Sequence, residues 1–299
     1  LTSHLRALWV LERVAGALRR VGLGAMVDAV GRRIAPTVGT FDVEIDGLRL
    51  HGDHIGQLYY VRELLQSDRE GAFVEALCAS IERGATVLEA GAHIGYVTLQ
   101  AARAVGGSGR VITFEPNPRT VPLIERSLAA NGLTDRVTLV PLALGDAAGR
   151  HVFHISGGGD TSSLHRPDGD SQQVEVEVTT VDEWLDQEVR VDVVKLDIEG
   201  GEVAALRGMR RTLERAGPGL IVFAECNPGM LERAGSSSEE LFATLRSHGL
   251  EIMWIDESRR MPRPLEEADW SHGYVNLFCR RAASGRGRDF GPDRAASRS

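Results

Sequence analysis

The chain is almost without lysine. Of its 34 basic residues, 33 are arginine and one is Lys195. Arginine stays charged at every ordinary pH, so the one amine whose protonation can be tuned stands out. Cysteine is sparse too: Cys78, Cys226 and Cys279 are odd in number and far apart, with no Cys-x-x-Cys pair. That excludes a disulfide framework and a thiolate metal site, and it suits a reducing compartment. No apolar run approaches the ~18–20 residues that cross a bilayer. The N-terminal residues show no basic leader with an apolar core and cleavage site, so a cytoplasmic protein is expected. The Gly-x-Gly-x-x-Gly turn of dinucleotide sites is also missing.

Acidic residues exceed basic ones, 42 to 34, for a net charge of −8. Residues 1–40 and 280–299 each hold six arginines against two acids, so the body between them is strongly acidic. An acidic body argues against a nucleic-acid partner. With 42% hydrophobic and 25% charged residues, the composition is that of a folded protein.

Residues 1–35 interleave Leu5, Leu8, Trp9, Leu11, Val14 and Leu18 with arginines. The pattern is an amphipathic helix, either a cap packed on the domain or a helix lying on a membrane surface. Phe41–Leu50 alternates around Asp46-Gly47, a hairpin signal. Residues 57–83 read as helix, ending near Gly84. Strands are then expected at 86–90, 110–114, 136–141, 191–197 and 219–225, with helices at 95–105, 118–131 and 200–216. This order predicts an α/β fold, a mostly parallel sheet with helices on both faces and a small N-terminal helical and hairpin cap. The stretch 145–180 interrupts it as a hairpin or loop excursion, within which His151 and His154 are read on one strand face. A helix at 238–248 and strands at 251–255 and 274–279 follow. The division is thus a cap over 1–84, a ligand-binding catalytic domain over 85–280 and a disordered tail over 281–299.

The first parallel strand runs into Glu89-Ala-Gly-Ala-His-Ile-Gly95. Gly91 and Gly95 permit a tight turn and close approach of a ligand to the backbone of Ala92 and His93. Glu115, at the end of the second strand, is placed to accept hydrogen bonds from both hydroxyls of a ribose. Glu89, two residues before the first glycine, would repel a pyrophosphate. It suits a cationic ligand with an amino-acid end, and S-adenosylmethionine has a sulfonium and an α-ammonium group.

Glu89–Thr98, Phe114-Glu-Pro-Asn117, Ala143-Leu-Gly-Asp146, Lys195-Leu-Asp-Ile-Glu-Gly-Gly-Glu202 and Asn276-Leu-Phe278 together resemble the FkbM-type methyltransferases over roughly residues 70–280. The resemblance implies a class I, Rossmann-like methyltransferase fold and S-adenosylmethionine as cofactor. It implies cofactor contacts at Glu89, Gly91, Ala92, His93, Gly95, Glu115, Asn117, Ala143 and Asp146. It also implies methylation of a hydroxyl on a sugar, glycan or polyketide-type natural product. One departure is His93, where the family usually has Asn. Thr161-Ser-Ser163 resembles a family loop near the active site.

Lys195 and Asp197 are two apart and project to one side of an extended strand, with Glu199 following. Either could deprotonate or orient an acceptor hydroxyl, or the two could be a pair that only holds the strand end. Asp197, Glu225 and Asn227 could instead form an oxygen-rich site for Mg²⁺. His51, His54 and His165 lie in segments expected to cover the pocket, and Trp184 is expected to anchor a short helix in the core. A nicotinamide-dependent oxidoreductase and a non-catalytic binding protein of the same fold are the rival readings. The acceptor and the oligomeric state carry no readable code.

Overall fold

The computed structural model describes residues 40–53, 55–66, 68–156, 162–165 and 171–281. The helix expected over 1–35, His54, Thr161 and the tail expected over 282–299 lie outside the described residues.

The hairpin forms where Asp46-Gly47 predicts. β1 (Phe41–Ile45) and β2 (Leu48–Gly52) pair antiparallel, with both turn residues at positive φ. It is pinned to the body by its turn: Tyr96 Oη donates to Asp46 Oδ2 at 2.6 Å, and Arg103 Nη1 to the Asp46 carbonyl at 2.8 Å. The helical stretch expected over 57–83 is described as α1 (Ile55–Gln66) and α2 (Asp68–Ser80).

β3 (Thr86–Ala90), α3 (Tyr96–Val105), β4 (Arg110–Phe114), α4 (Val121–Ala130) and β5 (Val137–Val140) alternate as the sequence predicts. Next come β6 (Ala143–Leu144), β7 (Gly149–Ser156), β8 (Ser171–Thr179) and the short α5 (Val181–Trp184). β9 (Val193–Leu196) leads to α6 (Glu202–Gly208) and α7 (Arg210–Arg215), then β10 (Ile221–Cys226) and α8 (Pro228–Arg233). α9 (Ser238–Ser247), β11 (Leu250–Asp256), β12 (Met261–Pro264) and β13 (Val275–Arg281) complete the described chain.

The main sheet has the order β12-β11-β13-β10-β9-β3-β4-β5. β5, β4, β3, β9 and β10 are mutually parallel, while β13 runs antiparallel between β10 and β11. Alternate residues of the parallel strands enter two cores. Val87, Val111, Val193 and Phe223 pack with α2, α3 and the hairpin. Leu88, Ile112, Val194 and Val222 pack with α6, α7 and α9. Burial on both faces is why these strands read as apolar runs. The chain leaves β3 toward β4 and β5, then returns to β9 on the other side, so a crevice opens at the β3–β9 junction.

The excursion is a second sheet of order β6-β8-β7, with Ala143, Phe153, Ile155, Val176 and Val178 as its small core. His151 and His154 do not share a face. Residues three apart on a strand point oppositely, and His154 is buried while His151 is exposed. The helix expected over 200–216 breaks after Gly208, where a Cβ would lie 2.0 Å from the Gly145 carbonyl oxygen. The new N-terminus of α7 is capped from outside by Asp182, which accepts from the backbone N–H groups of Arg211 and Thr212 at 2.8 Å each. Trp184 is not a core anchor. It is 36% exposed and meets Phe114 edge-on, and Val181 is the buried residue of α5. β12 escapes sequence reading because it holds Pro262 and Pro264, which a strand tolerates at a sheet edge. No helix among the described residues is long and apolar enough to cross a membrane.

Candidate functional site

A cavity of about 370 Å³ lies at the carboxyl ends of β3, β4, β9 and β10, with walls from α1, α2 and the second sheet. A larger hollow, about 510 Å³, opens on the surface beside α6, α7 and α9. Its arginines are engaged in the fold: Arg207 with Glu240, Arg210 with Glu214, and Arg281 with carbonyls at the end of α7. The crevice at the β3–β9 junction is therefore the candidate site.

The turn after β3 forms one wall. Gly91 has φ +83°, and a Cβ there would lie 1.8 Å from the Asp197 carbonyl oxygen, so only glycine lets the ends of β3 and β9 meet. His93 has φ +51°. Asn, Asp and His are the side-chain-bearing residues that adopt this left-handed region most readily. The family's usual Asn and this chain's His thus satisfy one backbone demand. Glu115 braces the turn, accepting from the backbone N–H groups of His93 and Asn117 at 2.9 Å each. Burial pushes the Glu115 carboxyl up to about 7, against the pull of those two hydrogen bonds. A carboxylate offers about four acceptor positions, so capacity remains toward the cavity that Glu115 lines.

The turn after β9 forms the facing wall. Lys195 is buried, and its Nζ donates to the Gly91 carbonyl at 2.5 Å. The same nitrogen lies 3.3 Å from Asp197 Oδ2 and 3.8 Å from Glu89 Oε1. Lys195, Asp197 and Glu199 all line the cavity. Glu199 has φ +56°, and Gly200 follows at +99°. Ser163 Oγ donates to the Glu199 carbonyl at 2.9 Å, tying the second sheet's connection to this turn. Glu202 faces away from the cavity. It accepts from the backbone N–H groups of Ile198 and Gly200 at 3.0 and 3.3 Å, and burial pushes it up to about 7.

Not every expected residue reaches the cavity. Ala92, His93, Asn117 and Ala143 line it with Gly91 and Glu115. Glu89 does not. It is 1% exposed, accepts from Thr98 Oγ1 at 2.6 Å, and sits in register with Lys195, whose Nζ lies 3.8 Å from its Oε1. Burial raises its pKa, which Lys195 and Thr98 pull back. Gly95 caps α3 with φ +88° and packs on Ile124 outside the cavity. Asp146 is exposed and also outside it. His51 pairs with Asp42 on the hairpin and is no cover for the cavity.

Asp197, Glu225 and Asn227 line one side together. Among the described residues, however, no three His, Cys, Asp or Glu side chains converge, and Asn227 Oδ1 accepts from the Met230 N–H as the cap of α8.

Tyr60, Phe73, Phe153, Leu164 and Tyr274 also line the cavity, and Tyr60 meets the His93 ring edge-on at 4.6 Å. Their sequence spacing carries no signal. The one available hint is scarcity, since Tyr60 and Tyr274 are two of only four tyrosines.

The sequence matches the methyltransferase FkbM domain over residues 89–252. It is 32% identical over 102 residues to an arginine N(omega)-methyltransferase of Streptomyces achromogenes subsp. streptozoticus, covering 32% of this chain and 28% of that one. It is 33% identical over 73 residues to a catechol O-methyltransferase of Niastella koreensis, covering 24% of this chain and 33% of that one. The matched stretches thus span a third or less of these curated relatives. Among solved structures, a SAM-dependent O-methyltransferase of Thermotoga maritima aligns over 83% of this chain and 79% of its own, with 16% identity and a TM-score of 0.42.

Proposed function

The chain belongs to the FkbM methyltransferase domain family, and from that premise we propose that it is an S-adenosylmethionine-dependent methyltransferase acting on a hydroxyl of a sugar, glycan or polyketide-type natural product. The observation that carries this reading is Glu115, a buried carboxylate with acceptor capacity facing the cavity at the end of β4. The donor set suits the cofactor: Glu115 for the ribose diol, the backbone of Gly91–His93 beside it, and Asn117 and Ala143 along the nucleoside. Glu89 acts on this site through Lys195 rather than by direct contact.

S-adenosylmethionine supplies, when bound, a methyl group activated by a sulfonium. The chain must align the acceptor oxygen and remove its proton. Alignment of this kind is worth ~7–11 kcal/mol, and a positioned base adds ~10²–10⁴-fold. Lys195 is surrounded by the Gly91 carbonyl, Asp197 and Glu89. Those partners favour the ammonium form, which makes Lys195 the anchor that holds Asp197 in place. Asp197 opens to the cavity, with 42% of its side chain exposed, and is the group that takes the hydroxyl proton. Glu199 orients the acceptor from the same turn.

A thermal shift with S-adenosylhomocysteine beside NAD separates this reading from an oxidoreductase. Ligand at one hundred times Kd raises apparent stability by ~2.7 kcal/mol. A shift with the nucleoside alone supports it, and a shift with NAD alone contradicts it. Transfer of labelled methyl to an acceptor then separates an enzyme from a binder. Asp197→Asn should lose ~10²-fold or more in turnover while still binding S-adenosylhomocysteine. Near-normal turnover in both Asp197→Asn and Lys195→Arg would remove the assignment. Activity that survives exhaustive chelation would remove a Mg²⁺ role for Asp197, Glu225 and Asn227.

A further inference from the structure

The second sheet meets the cavity from both of its edges. Ala143 of β6, at one edge, lines the cavity directly. β7, at the other edge, is bridged to Ser163. The His154 N–H donates to the Ser163 carbonyl at 2.8 Å, and the Ser163 N–H to the His154 carbonyl at 3.0 Å. His154 is in turn held to the start of β8, with its Nδ1 3.2 Å from Ser171 Oγ. Ser163 is 3% exposed, while its neighbours Ser162 and Leu164 line the cavity. Its hydroxyl is engaged on both sides. It accepts from the His165 N–H at 3.2 Å and donates to the Glu199 carbonyl at 2.9 Å.

That carbonyl belongs to the peptide unit between Glu199 and Gly200, both of which have positive φ. The N–H of the same unit, on Gly200, donates to Glu202 Oε1 at 3.3 Å. One peptide plane is thus gripped at both ends, by Ser163 from the second sheet and by Glu202 from α6. A glutamate in the left-handed region costs free energy and persists only where its surroundings hold it. Resting on the methyltransferase reading, in which Glu199 orients the acceptor and Asp197 takes its proton, we infer that Ser163 is a positioning residue for this turn. Through the Glu199 carbonyl, its hydroxyl sets the peptide plane, and the plane sets where the turn presents its carboxylates. Misplacing such groups by about 1 Å can cost ~10²-fold in rate.

The chain carries its own probe for this. Lys195 is its one lysine, so the full chain grown on isotope-labelled lysine gives a single lysine side-chain signal, from a nitrogen 3.3 Å from Asp197 Oδ2. Ser163→Ala should move that signal in the ligand-free protein and speed hydrogen exchange of the Gly200 amide about fivefold or more. Ser163→Cys keeps the bulk but only a weak donor, and should move the signal the same way by less. Ser171→Ala disturbs the same sheet at His154 while leaving the tie to Glu199 intact, so the signal should stay in place. Calorimetry on Ser163→Ala should find affinity for S-adenosylhomocysteine within about threefold of the wild type, because Glu115 takes no part in the tie. A Lys195 signal unmoved in both Ser163 variants would overturn the inference. So would an equal movement in Ser171→Ala, or a larger loss of S-adenosylhomocysteine affinity, which would place the effect at the cofactor instead. Failure of the wild-type chain to bind S-adenosylhomocysteine would overturn the methyltransferase reading, while the Lys195 signal, read without ligand, would still decide whether Ser163 holds the turn.

Discussion

The turns after β3 and β9 are built alike and used differently. Each holds a non-glycine residue in the left-handed region, His93 in one and Glu199 in the other, beside glycine at positive φ, Gly91 and Gly95 in the first and Gly200 in the second. Each is braced by a buried glutamate that accepts two backbone N–H groups, Glu115 in the first and Glu202 in the second. In both, burial pushes the carboxyl up to about 7. The difference is exposure to the cavity: Glu115 lines it and Glu202 does not. One backbone task therefore leaves a carboxyl on the cavity wall in the first turn and one outside it in the second.

The largest effect should come from crowding the tightly packed glycines of the two turns. Gly91→Ala places a Cβ 1.8 Å from the Asp197 carbonyl oxygen, and Gly200→Ala places one 2.4 Å from that of Met230. Each should lower stability by ~3 kcal/mol or more in urea denaturation, Gly91→Ala the more severely. A wild-type midpoint for Gly91→Ala would contradict the packing of β3 against β9.

Exchanging the two braces should separate their roles. Glu115→Gln loses a charge-assisted interaction worth ~1.5–3 kcal/mol, so affinity for S-adenosylhomocysteine should fall about 10- to 100-fold in calorimetry. Glu202→Gln should change it by less than about threefold. Equal losses in the two variants would erase the distinction between them.

The same groups set a pH dependence. A buried glutamate raised from 4.5 to about 7 holds its proton longer in the folded state than in the unfolded one. Its contribution to stability is therefore fully present below about pH 4.5 and is lost as pH rises through about 7. Glu202→Gln should flatten that part of the stability profile in thermal melts without the ligand. Cofactor affinity should run the other way, rising as Glu115 ionises between pH 6 and about 8.

The smallest effect is expected from His93→Asn. Asparagine also tolerates positive φ, so the change should cost the edge contact with Tyr60, ~0.5–1.5 kcal/mol, and leave the turn in place. His93→Val, with a branched residue at the same φ, should be clearly worse in the same melts.

The parts of this fold that were legible are those where one local pattern has one meaning. β3 and β4 read correctly because apolar runs of strand length end in glycine or Glu-Pro, and the Asp46-Gly47 hairpin because few turns fit that pair. Gly91 and Glu115 followed from their positions at strand ends. The roles within the Lys195–Glu202 string did not. Spacing places Lys195, Asp197 and Glu199 near one another, but a glutamate in the first turn of a helix can point toward a ligand or back to the loop. Glu89 looked like a ligand contact because it lies at a strand's carboxyl end, but the fold buries it beside Lys195. Tyr60, Phe73 and Tyr274 arrive from elements far apart in the chain, so no local signal marks them.

The central claim is that Glu115 holds the cofactor in its ionised form, and proton counting tests it most directly. Titrating S-adenosylhomocysteine at pH 6.5, in two buffers of different ionisation enthalpy, should give saturable binding with net proton release from the wild-type protein. Glu115→Gln should bind more weakly and release none. Absence of saturable binding, or equal proton release from the wild type and Glu115→Gln, would contradict the account.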